Sequence, residues 1–506
     1  MLDQTQIAQD NGLQSLDGQS FDLVVIGAGI AGLNALDSAS EYLAKGARAL
    51  LIDQKPKPGG MWTSAYDYVR LHQPHPMFTV GNQRWDWSKP SHYLAGRDEV
   101  QSHLSYCLEK TSEKLSLTTQ FCATVSACEE VSTSEGHRGR VTLHANEDPE
   151  NTVTVTASQV IEAEGFNVPL AVDFPVTSTS VVSITPNQLR ETLAAHPKAP
   201  VYIIGGGKTG MDTAIEVLTQ SPERTVGMLV GKGTDFFNRN KNLPIGAGRW
   251  TTGTPASRIF YDVAMHFNGD NEAKTASYFN AMYATEPGVD NKSFLYGLLS
   301  EEELRRIETG VAWRKYDYLK DVTDTPDGPL MTLRSGDTLS IPTGSIIVAC
   351  TGTLFRDHGL NTPKPCLSTH GTILSITTRD AVHFLSSVGG FFLPHLHYRG
   401  VLKDKGFYTI DIEDLFRKDK QAWAAATSAQ AYLTQALAVQ NLPLMLLDRC
   451  GLDLDRWYPF PRRMLALIKM KAGASKDIAH CHLVLDRVRD RFDVQCGPLT
   501  PGARDA

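Results

Sequence analysis

The chain has no cysteine spacing that is typical of redox or metal chemistry. Its eight cysteines, at positions 107, 122, 128, 350, 366, 450, 481 and 496 of 506 residues, form no C-x-x-C pair. A disulfide reductase needs a redox-active cysteine pair, so this spacing argues against that class. His480, Cys481 and His482 are adjacent, and three adjacent side chains cannot all face one ion, so we predict no metal site. The thiols are interpreted as reduced cysteines of a cytoplasmic protein.

Long apolar runs and long basic runs are also missing. Residues 1–20 are polar and contain no apolar h-region, so we expect no secretory signal peptide. No run approaches the length that crosses a bilayer. The formal net charge is −7, which argues against bulk nucleic-acid binding, and the most basic segment, residues 456–471, is interpreted as a helix face. We therefore expect neither nucleic acid nor membrane as a partner, and the oligomeric state, a homo-oligomer included, stays open.

No Ser/His/Asp or paired-carboxylate constellation stands out, and the composition is that of an ordinary globular protein. The chain is 42% hydrophobic and 21% charged. Its length predicts two or more domains.

Two glycine fingerprints dominate what is present. The first, Gly27, Gly29 and Gly32, follows an apolar strand-like run and opens a helix-like run. Glycine permits the tight turn, the close approach of a pyrophosphate and close helix–strand packing. Asp53 ends the next strand-like run about 20 residues later, where an acid binds a ribose hydroxyl. The alternative for Asp53 is a solvated carboxylate at a strand end.

The second fingerprint has the same frame but a different ending. It comprises Gly205, Gly207, Lys208, Thr209 and Gly210, and the strand-like run after its helix ends without an acid. Lys232 and Arg239 follow instead, and cations here suit a 2′-phosphate. We therefore predict a preference for NADPH over NADH; the alternative is that both are exposed loop charges. Two fingerprints predict two dinucleotides, with electrons passing from one to the other.

A further block carries a family resemblance. Gly60, Met61 and Trp62 belong to a G-G-x-W turn, and a Y-D-x-x-R-L-H stretch follows at residues 66–72. Together they resemble flavin-containing monooxygenases, especially the plant-type indole-pyruvate monooxygenases. The G-K-T-G-M-D stretch at 207–212 is similar to the family's NADPH motif, and Thr351 and Gly352 end a strand similar to its A-T-G strand end. The resemblance covers about residues 20–240 and 340–360.

The resemblance implies FAD at the first fingerprint and NADPH at the second. It also implies a flavin-dependent oxidoreductase, an NADPH-dependent monooxygenase in which NADPH reduces the flavin and oxygen forms a C4a-hydroperoxyflavin. Its substrates would be molecular oxygen and a small organic molecule, with an aromatic compound and an amine both open. The cofactors carry the hard steps, while the protein orients them and excludes water.

The fold expected from these motifs is α/β, with two Rossmann-like dinucleotide-binding domains, a helical insert and a helical C-terminal region. We assign residues 1–170 to the first part of the FAD-binding domain and 171–340 to the NADPH-binding domain, with the insert at about 240–330. Residues 341–506 form the second part of the FAD-binding domain and the C-terminal helices. We predict strands at 118–127, 140–145 and 153–162, and a returning flavin-domain strand at 384–390.

His72 is the main candidate for a catalytic residue. Plant-type members of the family have a histidine near the flavin at this position, so His72 would hydrogen-bond the flavin or peroxide edge. Gln73 is a second candidate by the same logic. The alternative for His72 is a polar loop histidine packed beside prolines. Trp62, Trp85 and Trp87 are candidates for an aromatic substrate wall, with a core role as the alternative.

One departure from the family keeps other functions open. The family's F-x-G-x-x-x-H stretch corresponds to residues 174–180, which contain neither the glycine nor the histidine. This argues against a Baeyer–Villiger reaction. The alternatives are an NADPH-independent flavin oxidase or dehydrogenase, a disulfide-reductase-like flavoprotein, and a non-catalytic flavin-binding protein.

Overall fold

The first part of the chain folds around a mixed sheet. The computed structural model describes residues 12–134, 136–165, 172–289, 291, 293–352, 365–376, 386–403 and 405–499. The first elements are β1 (Ser20–Ile26), α1 (Ile30–Ser40), β2 (Arg48–Ile52), α2 (Arg97–Ser112), β3 (Ser116–Gln120), β4 (Ala123–Thr133), β5 (Gly136–Ala145) and β6 (Asp148–Glu162). Single 3₁₀ turns lie at Leu13–Leu16, Gly60–Thr63, His75–Met77, Pro186–Gln188, Gly246–Arg249 and Leu454–Trp457.

The strand order of this sheet is β3-β2-β1-β6-β5-β4. β3, β2, β1 and β6 run parallel, and β6, β5 and β4 form an antiparallel meander. The central strand β1 pairs Val24 with Leu50 on one side and with Val160 on the other, and all three are fully buried. A continuous apolar run of this kind is what a sheet covered on both faces needs.

The strand predicted at 118–127 is wrong as one element. β3 ends at Gln120 and β4 begins at Ala123, and Cys122 between them has a positive φ of 54°. β3 continues the parallel part of the sheet, whereas β4 belongs to the antiparallel meander. The chain therefore leaves one part of the sheet and enters the other at Cys122.

The second domain has its own parallel sheet. Its strand order is β12-β9-β8-β16-β7, with the small antiparallel sheet β13-β14-β15 beside it. The elements are β7 (Val182–Ile184), α3 (Leu189–Ala195), β8 (Val201–Ile204), α4 (Lys208–Gln220), β9 (Val226–Leu229), β10 (Asp235–Asn238), α5 (Arg239–Asn242), α6 (Ala256–His266), α7 (Glu272–Tyr283), β11 (Phe294–Leu299), α8 (Glu301–Gly310), β12 (Trp313–Lys315), β13 (Leu319–Thr325), β14 (Gly328–Leu333), β15 (Thr338–Ser340) and β16 (Ile346–Ala349).

The last part returns to the first sheet and then becomes helical. Its elements are β17 (Ile373–Ser375), α9 (Ser386–Tyr398), β18 (Tyr408–Ile410), α10 (Ile412–Lys418), α11 (Lys420–Asn441), α12 (Leu444–Leu447), α13 (Phe460–Phe492) and β19 (Cys496–Pro498). β17 pairs with β6 in parallel, so the returning strand lies at 373–375.

The returning strand predicted at 384–390 is therefore misplaced. Residues 384 and 385 lie outside the described residues, and 386–390 begin helix α9. A Cβ on Gly390 would overlap the backbone of Ala31, so the missing side chain lets α9 lie directly on α1. Phe391 and Leu396 are almost fully buried there. The segment is apolar because it is a buried helix, and a short apolar run alone does not distinguish that from a buried strand.

The insert and the C-terminal region form one helical layer. α11 packs against α6 and α7 of the insert and against α13, and most of its residues are buried. Among the described residues, no helix combines the length and apolarity needed to span a bilayer. The predicted α/β class, with two Rossmann-like domains and added helices, is confirmed.

Candidate functional site

The first glycine turn joins β1 to α1 in a conformation that only small residues allow. Gly27 has φ 104°, and a Cβ there would overlap the carbonyl oxygen of Ala163 at the end of β6. A Cβ on Gly32 would overlap the carbonyl oxygen of Gly27. The Gly60 turn approaches from the other side, because a Cβ on Gly60 would lie 2.9 Å from Cα of Gly29. The two glycine segments thus meet backbone to backbone, as a turn that holds a flavin nucleotide requires.

Asp53 is buried and bound to this turn. Its Oδ2 accepts a hydrogen bond from the Ala28 amide at 2.5 Å, and its Oδ1 accepts one from the Lys55 amide at 2.7 Å. Burial raises the pKa of this carboxyl, against the lowering effect of those two amides. The carboxylate therefore fixes the fingerprint turn, and each oxygen keeps lone-pair capacity for a ribose hydroxyl.

The second glycine turn repeats the geometry of the first. Gly205 has φ 129°, and a Cβ there would overlap the carbonyl oxygen of Cys350, just past the end of β16. A Cβ on Gly210 would overlap the carbonyl oxygen of Gly205. At Gly207 a Cβ would meet no atom within 4 Å, so open space faces the turn. Thr351 and Gly352 follow Cys350 and are exposed.

The helices after the two turns begin without a side-chain cap, as α2, α6 and α7 also do, whereas some other helices are capped. α8, α10 and α11 begin at Ser300, Asp411 and Asp419, whose side chains accept hydrogen bonds from the first turn. α1 and α4 begin at Gly29 and Gly207 without any side-chain cap. Their N-terminal amides suit an anion such as a pyrophosphate.

The loop after β9 has aromatic and basic neighbours. Lys232 is exposed in this loop. Ideal Cβ atoms on Gly231 and Gly233 would lie 2.9 Å from the rings of Tyr318 and Tyr316. The ring of Tyr318 also has the Arg334 guanidinium 4.8 Å from its centroid. An adenosine group at the end of β9 would therefore meet aromatic faces and cations.

Arg239 lies elsewhere in the site. Its guanidinium bonds Glu303 at 2.8 Å, and its side chain is 13% exposed. Arg239 and Lys208 both contribute to the electrostatic field at His72. The two cations therefore differ in their surroundings. Arg239 is paired with a carboxylate, whereas Lys232 is exposed.

The segment after the G-G-x-W turn joins the two dinucleotide domains. The Tyr66 hydroxyl donates to Oδ2 of Asp212 on α4 at 2.9 Å, and Lys208 forms an ion pair with Oδ1 of the same carboxylate. The Tyr68 and Thr213 hydroxyls are 2.8 Å apart. The flavin-side turn is therefore tied to the second fingerprint helix. Tyr66 is the first residue of the Y-D-x-x-R-L-H stretch, but the stretch alone does not indicate this contact with α4.

His72 lies at this junction. Burial lowers its pKa well below the ordinary value of 6.5, and the positive charges of Lys208 and Arg239 lower it further. The imidazole is therefore neutral at physiological pH, with one nitrogen able to donate and one able to accept. Gln73, its neighbour, is half-buried.

The three tryptophans divide between two places. Trp62 is buried, with its ring 5.7 Å from that of Phe78, and its carbonyl accepts a hydrogen bond from Gln101. Met61 beside it is 71% exposed. Trp85 and Trp87 stack on each other with centroids 4.5 Å apart, and Trp85 also stacks on a buried histidine. These contacts give Trp85 and Trp87 a packing role.

The stretch that lacks the family glycine and histidine has structural partners. Thr177 donates to Asp321, and Ser178 and Thr179 donate to Asp324. Both aspartates lie on β13. The stretch is thus fastened to the antiparallel sheet of the second domain.

The eight cysteines all lie in described parts of the chain, where no disulfide joins any two of them, and six are buried. Burial raises the pKa of Cys350 to about 12 and that of Cys107 to about 11. Since the thiolate is the reactive form, these thiols are poor nucleophiles at neutral pH.

Both glycine turns lie in a part of the chain that matches a known protein family. Residues 21–228, about two fifths of the chain, match the model of the family described as pyridine nucleotide-disulphide oxidoreductase. The predicted oxidoreductase relationship is confirmed by this match. It includes both glycine turns, Asp53 and the Tyr66–Asp212 contact.

The similar proteins and structures found are distant or short matches. A 97-residue stretch is 36% identical to the uncharacterized proteins Rv2000 of Mycobacterium tuberculosis and Mb2023 of Mycobacterium bovis, and covers 18% of this chain and 18% of each relative. Three solved structures each align with 76% of this chain. They are a Kutzneria ornithine N-hydroxylase (14% identity, 97% of that chain, TM-score 0.45), the cadaverine monooxygenase DfoA of Erwinia amylovora (12%, 95%, 0.48) and the bacillithiol disulfide reductase Bdr of Bacillus cereus (12%, 100%, 0.44).

Proposed function

We propose that this protein is an FAD- and NADPH-dependent monooxygenase that oxygenates a small organic substrate. The observation that carries the proposal is the pair of uncapped glycine-turn helices, α1 and α4, which the Tyr66–Asp212 hydrogen bond ties together. Two dinucleotides bound at these turns would belong to adjoining domains. Such an arrangement suits hydride transfer from one to the other.

The residues present fit both cofactors. At the first turn, the α1 N-terminus would hold the FAD pyrophosphate, Asp53 a ribose hydroxyl, and Gly60, Met61 and Trp62 would approach the flavin. At the second turn, the α4 N-terminus would hold the NADPH pyrophosphate beside Lys208 and Thr209, with Lys232 at the 2′-phosphate. When bound, the flavin accepts a hydride from NADPH and activates oxygen.

The protein's own contribution is orientation and hydrogen bonding. Lys208 is held by Asp212, so its ammonium stays beside the second turn. Neutral His72 would donate or accept a hydrogen bond at the reacting edge without adding a charge. Thr351 and Gly352 would lie at the crossing between the two domains.

The state of the cysteines favours oxygen chemistry over disulfide exchange. Disulfide reduction needs a thiolate beside the flavin, whereas the cysteine at the end of β16, Cys350, is a buried thiol with a raised pKa. The G-G-x-W turn and the stretch after it resemble flavin-containing monooxygenases. An NADPH-independent oxidase would not need the second uncapped turn.

A matched pair of glycine variants tests the assignment of the two turns. Gly32→Ala should abolish bound FAD and the yellow colour, because its Cβ would overlap the Gly27 carbonyl. Gly210→Ala should retain FAD but lose flavin reduction by NADPH in stopped-flow measurements. Gly12→Ala is the control, since a Cβ there meets no atom within 4 Å.

Turnover with isotope-labelled oxygen tests the reaction itself. With candidate amines and aromatic compounds, the wild-type protein should transfer one labelled oxygen atom to product for each NADPH oxidised. A protein that binds no flavin would contradict the proposal. So would a flavin that NADPH does not reduce, which would favour the oxidase, or turnover that releases only hydrogen peroxide.

A further inference from the structure

The helical layer encloses a cavity that the proposed function does not use. The cavity lies between α6, α9, α11, α12 and the first turns of α13. Its wall is mainly apolar and includes Phe260, Phe392, Ala438, Leu447 and Leu467. Neither glycine fingerprint contributes a residue to it. A lining of this kind suits an apolar ligand.

One part of the wall is acidic. Asp448, Asp453 and Asp455 line the cavity, and Arg463 is the only cation among its lining residues. Arg463 forms an ion pair with Asp448. Asp453 accepts the Asp455 amide at 2.9 Å, and Asp455 accepts the Ser257 amide at 3.0 Å. Between described residues, no ion pair includes either Asp453 or Asp455.

Both aspartates are buried, and burial disfavours their charge. Burial and, second, the charge of Asp455 raise the pKa of Asp453, against the lowering effects of the Asp455 amide, Arg463 and Arg456. Burial also raises the pKa of Asp455. A cation placed beside them would relieve this cost, because an opposite charge within a few ångströms favours the ionised carboxylates.

The wall also contains an unpaired acceptor. Oε1 of Gln435 on α11 is buried and has no hydrogen-bond partner among the residues that the structure describes. A buried acceptor without a donor is costly, and a ligand with an N–H group would satisfy it. A carboxylate ligand would be repelled by the aspartates and would offer Gln435 no donor.

Two apolar side chains of the wall also reach the protein surface. Leu444 is 44% exposed and Phe460 is 58% exposed, and both line the cavity. Exposed apolar surface beside a groove is a feature of ligand-binding sites.

We propose that this cavity binds an aliphatic primary amine, with the chain along the apolar wall and the ammonium at Asp453 and Asp455. The inference concerns binding alone. It does not depend on the proposed oxygenation, since neither fingerprint takes part.

Three probes with the same chain and different head groups test the proposal by isothermal titration calorimetry on the full-length protein. Decylamine should bind about tenfold more tightly than decanol, the gain of one charge-assisted hydrogen bond, and decanoate should bind more weakly than decanol. Asp453→Asn keeps a cap acceptor, so it should reduce the preference for decylamine over decanol without changing decanol affinity, and the double variant Asp453→Asn/Asp455→Asn should abolish that preference. Asp490→Asn, an exposed acid on α13, is the matched control and should change nothing.

A cavity-filling variant tests the location. Ala438 is 4% exposed, and Ala438→Phe should abolish binding of decylamine and decanol while FAD content stays unchanged. If that variant does not fold, Ala438→Leu should weaken both probes. Equal affinities for decylamine and decanoate would overturn the proposal, as would undiminished binding in a folded Ala438 variant or no binding of any probe.

Discussion

At the scale of single residues, Lys232 decides the expected nucleotide preference. Its ammonium is exposed at the end of β9, whereas Arg239 is occupied by Glu303. We predict that Lys232→Ala raises the KM for NADPH about tenfold and leaves that for NADH unchanged, because only NADPH has the 2′-phosphate. Steady-state kinetics with both nucleotides measure this. Lys241→Ala, which removes another exposed lysine of the same region, should alter neither KM.

His72 provides a second prediction at this scale. Because its pKa is held well below 6.5, the imidazole is neutral at pH 7 and does not titrate near pH 6.5. We predict that His72→Asn slows substrate oxygenation about tenfold, the worth of one hydrogen bond, while the pH profile of kcat keeps its shape. A wild-type inflection near pH 6.5 that disappears in His72→Asn would contradict this. His92→Asn, at an exposed histidine, is the control.

Some site residues could be predicted from the sequence and others could not. Gly32 and Gly210 follow from a fixed spacing, because each meets a carbonyl of its own motif, that of Gly27 and that of Gly205. Gly27 and Gly205 have the same spacing in the motif, but the carbonyls that they meet come from distant strand ends. The Arg239–Glu303 pair joins residues far apart in the chain, and no local pattern relates them.

At the scale of elements, the contact of segment 66–68 with α4 should contribute to stability. The Tyr66 hydroxyl donates to the charged Asp212, whereas Tyr68 bonds the neutral Thr213. Hydrogen bonds to charged groups contribute about 1.5–3 kcal/mol and neutral ones about 1 kcal/mol. We predict that Tyr66→Phe lowers the free energy of unfolding more than Tyr68→Phe, as measured by urea denaturation.

The same pair of variants reports on electron transfer. Tyr66→Phe frees one oxygen of the carboxylate that holds Lys208, so flavin reduction by NADPH should slow while FAD content is unchanged. Equal losses of stability in both variants, with unchanged reduction rates, would show that the contact does not couple the two turns. A Tyr66/Asp212 double-mutant cycle separates the pair from its surroundings.

Strands and helices could be predicted where the sequence pattern fits only one type of element. The buried strands β1 and β8 each precede a glycine turn, which identifies them. The stretch 118–127 belongs to two strands that separate at Cys122, and the apolar run at the start of α9 is buried against α1. In both cases tertiary contacts, not local sequence, decide the element.

At the scale of the whole molecule, the cavity is the feature that sequence reasoning missed. Its wall combines α6 of the insert with α11 and α13 of the C-terminal region. Only the packing of these distant segments brings Asp453 and Asp455 to face Phe260. The sequence shows the helices but not the space between them.

Buried histidines of the first domain and of α9 should make the folded protein less stable at acidic pH. His103 and His395 are 5% and 0% exposed, and burial lowers the pKa of each from 6.5 to about 3. Below pH 6.5 the unfolded chain therefore binds protons that the folded chain does not. The contribution of these histidines to the free energy of unfolding is therefore greatest above pH 6.5. It falls as the pH decreases, and at pH 5 each histidine has lowered the free energy of unfolding by about 2 kcal/mol.

Other groups also change the free energy of unfolding in this pH range or just below it, and they determine which pH values the test compares. Asp453, with its raised pKa, takes up a proton on folding and opposes the trend between pH 7 and 4. Hydrogen bonds from Ser368 and Thr372 lower the pKa of Glu130, so its contribution is lost only below about pH 4.5. The comparison must therefore be between variants at pH 7 and pH 5.

We predict that His395→Gln reduces the loss of unfolding free energy between pH 7 and pH 5 by about 2 kcal/mol. At pH 7 the variant should be less stable than the wild type, because His395 Nδ1 lies 2.8 Å from the Tyr42 hydroxyl and that hydrogen bond is lost. Urea denaturation at the two pH values measures both effects. His92→Gln, at an exposed position, should keep the wild-type difference. An unchanged difference in His395→Gln would mean that the folded protein protonates His395 in this range, against the neutral state that its burial imposes.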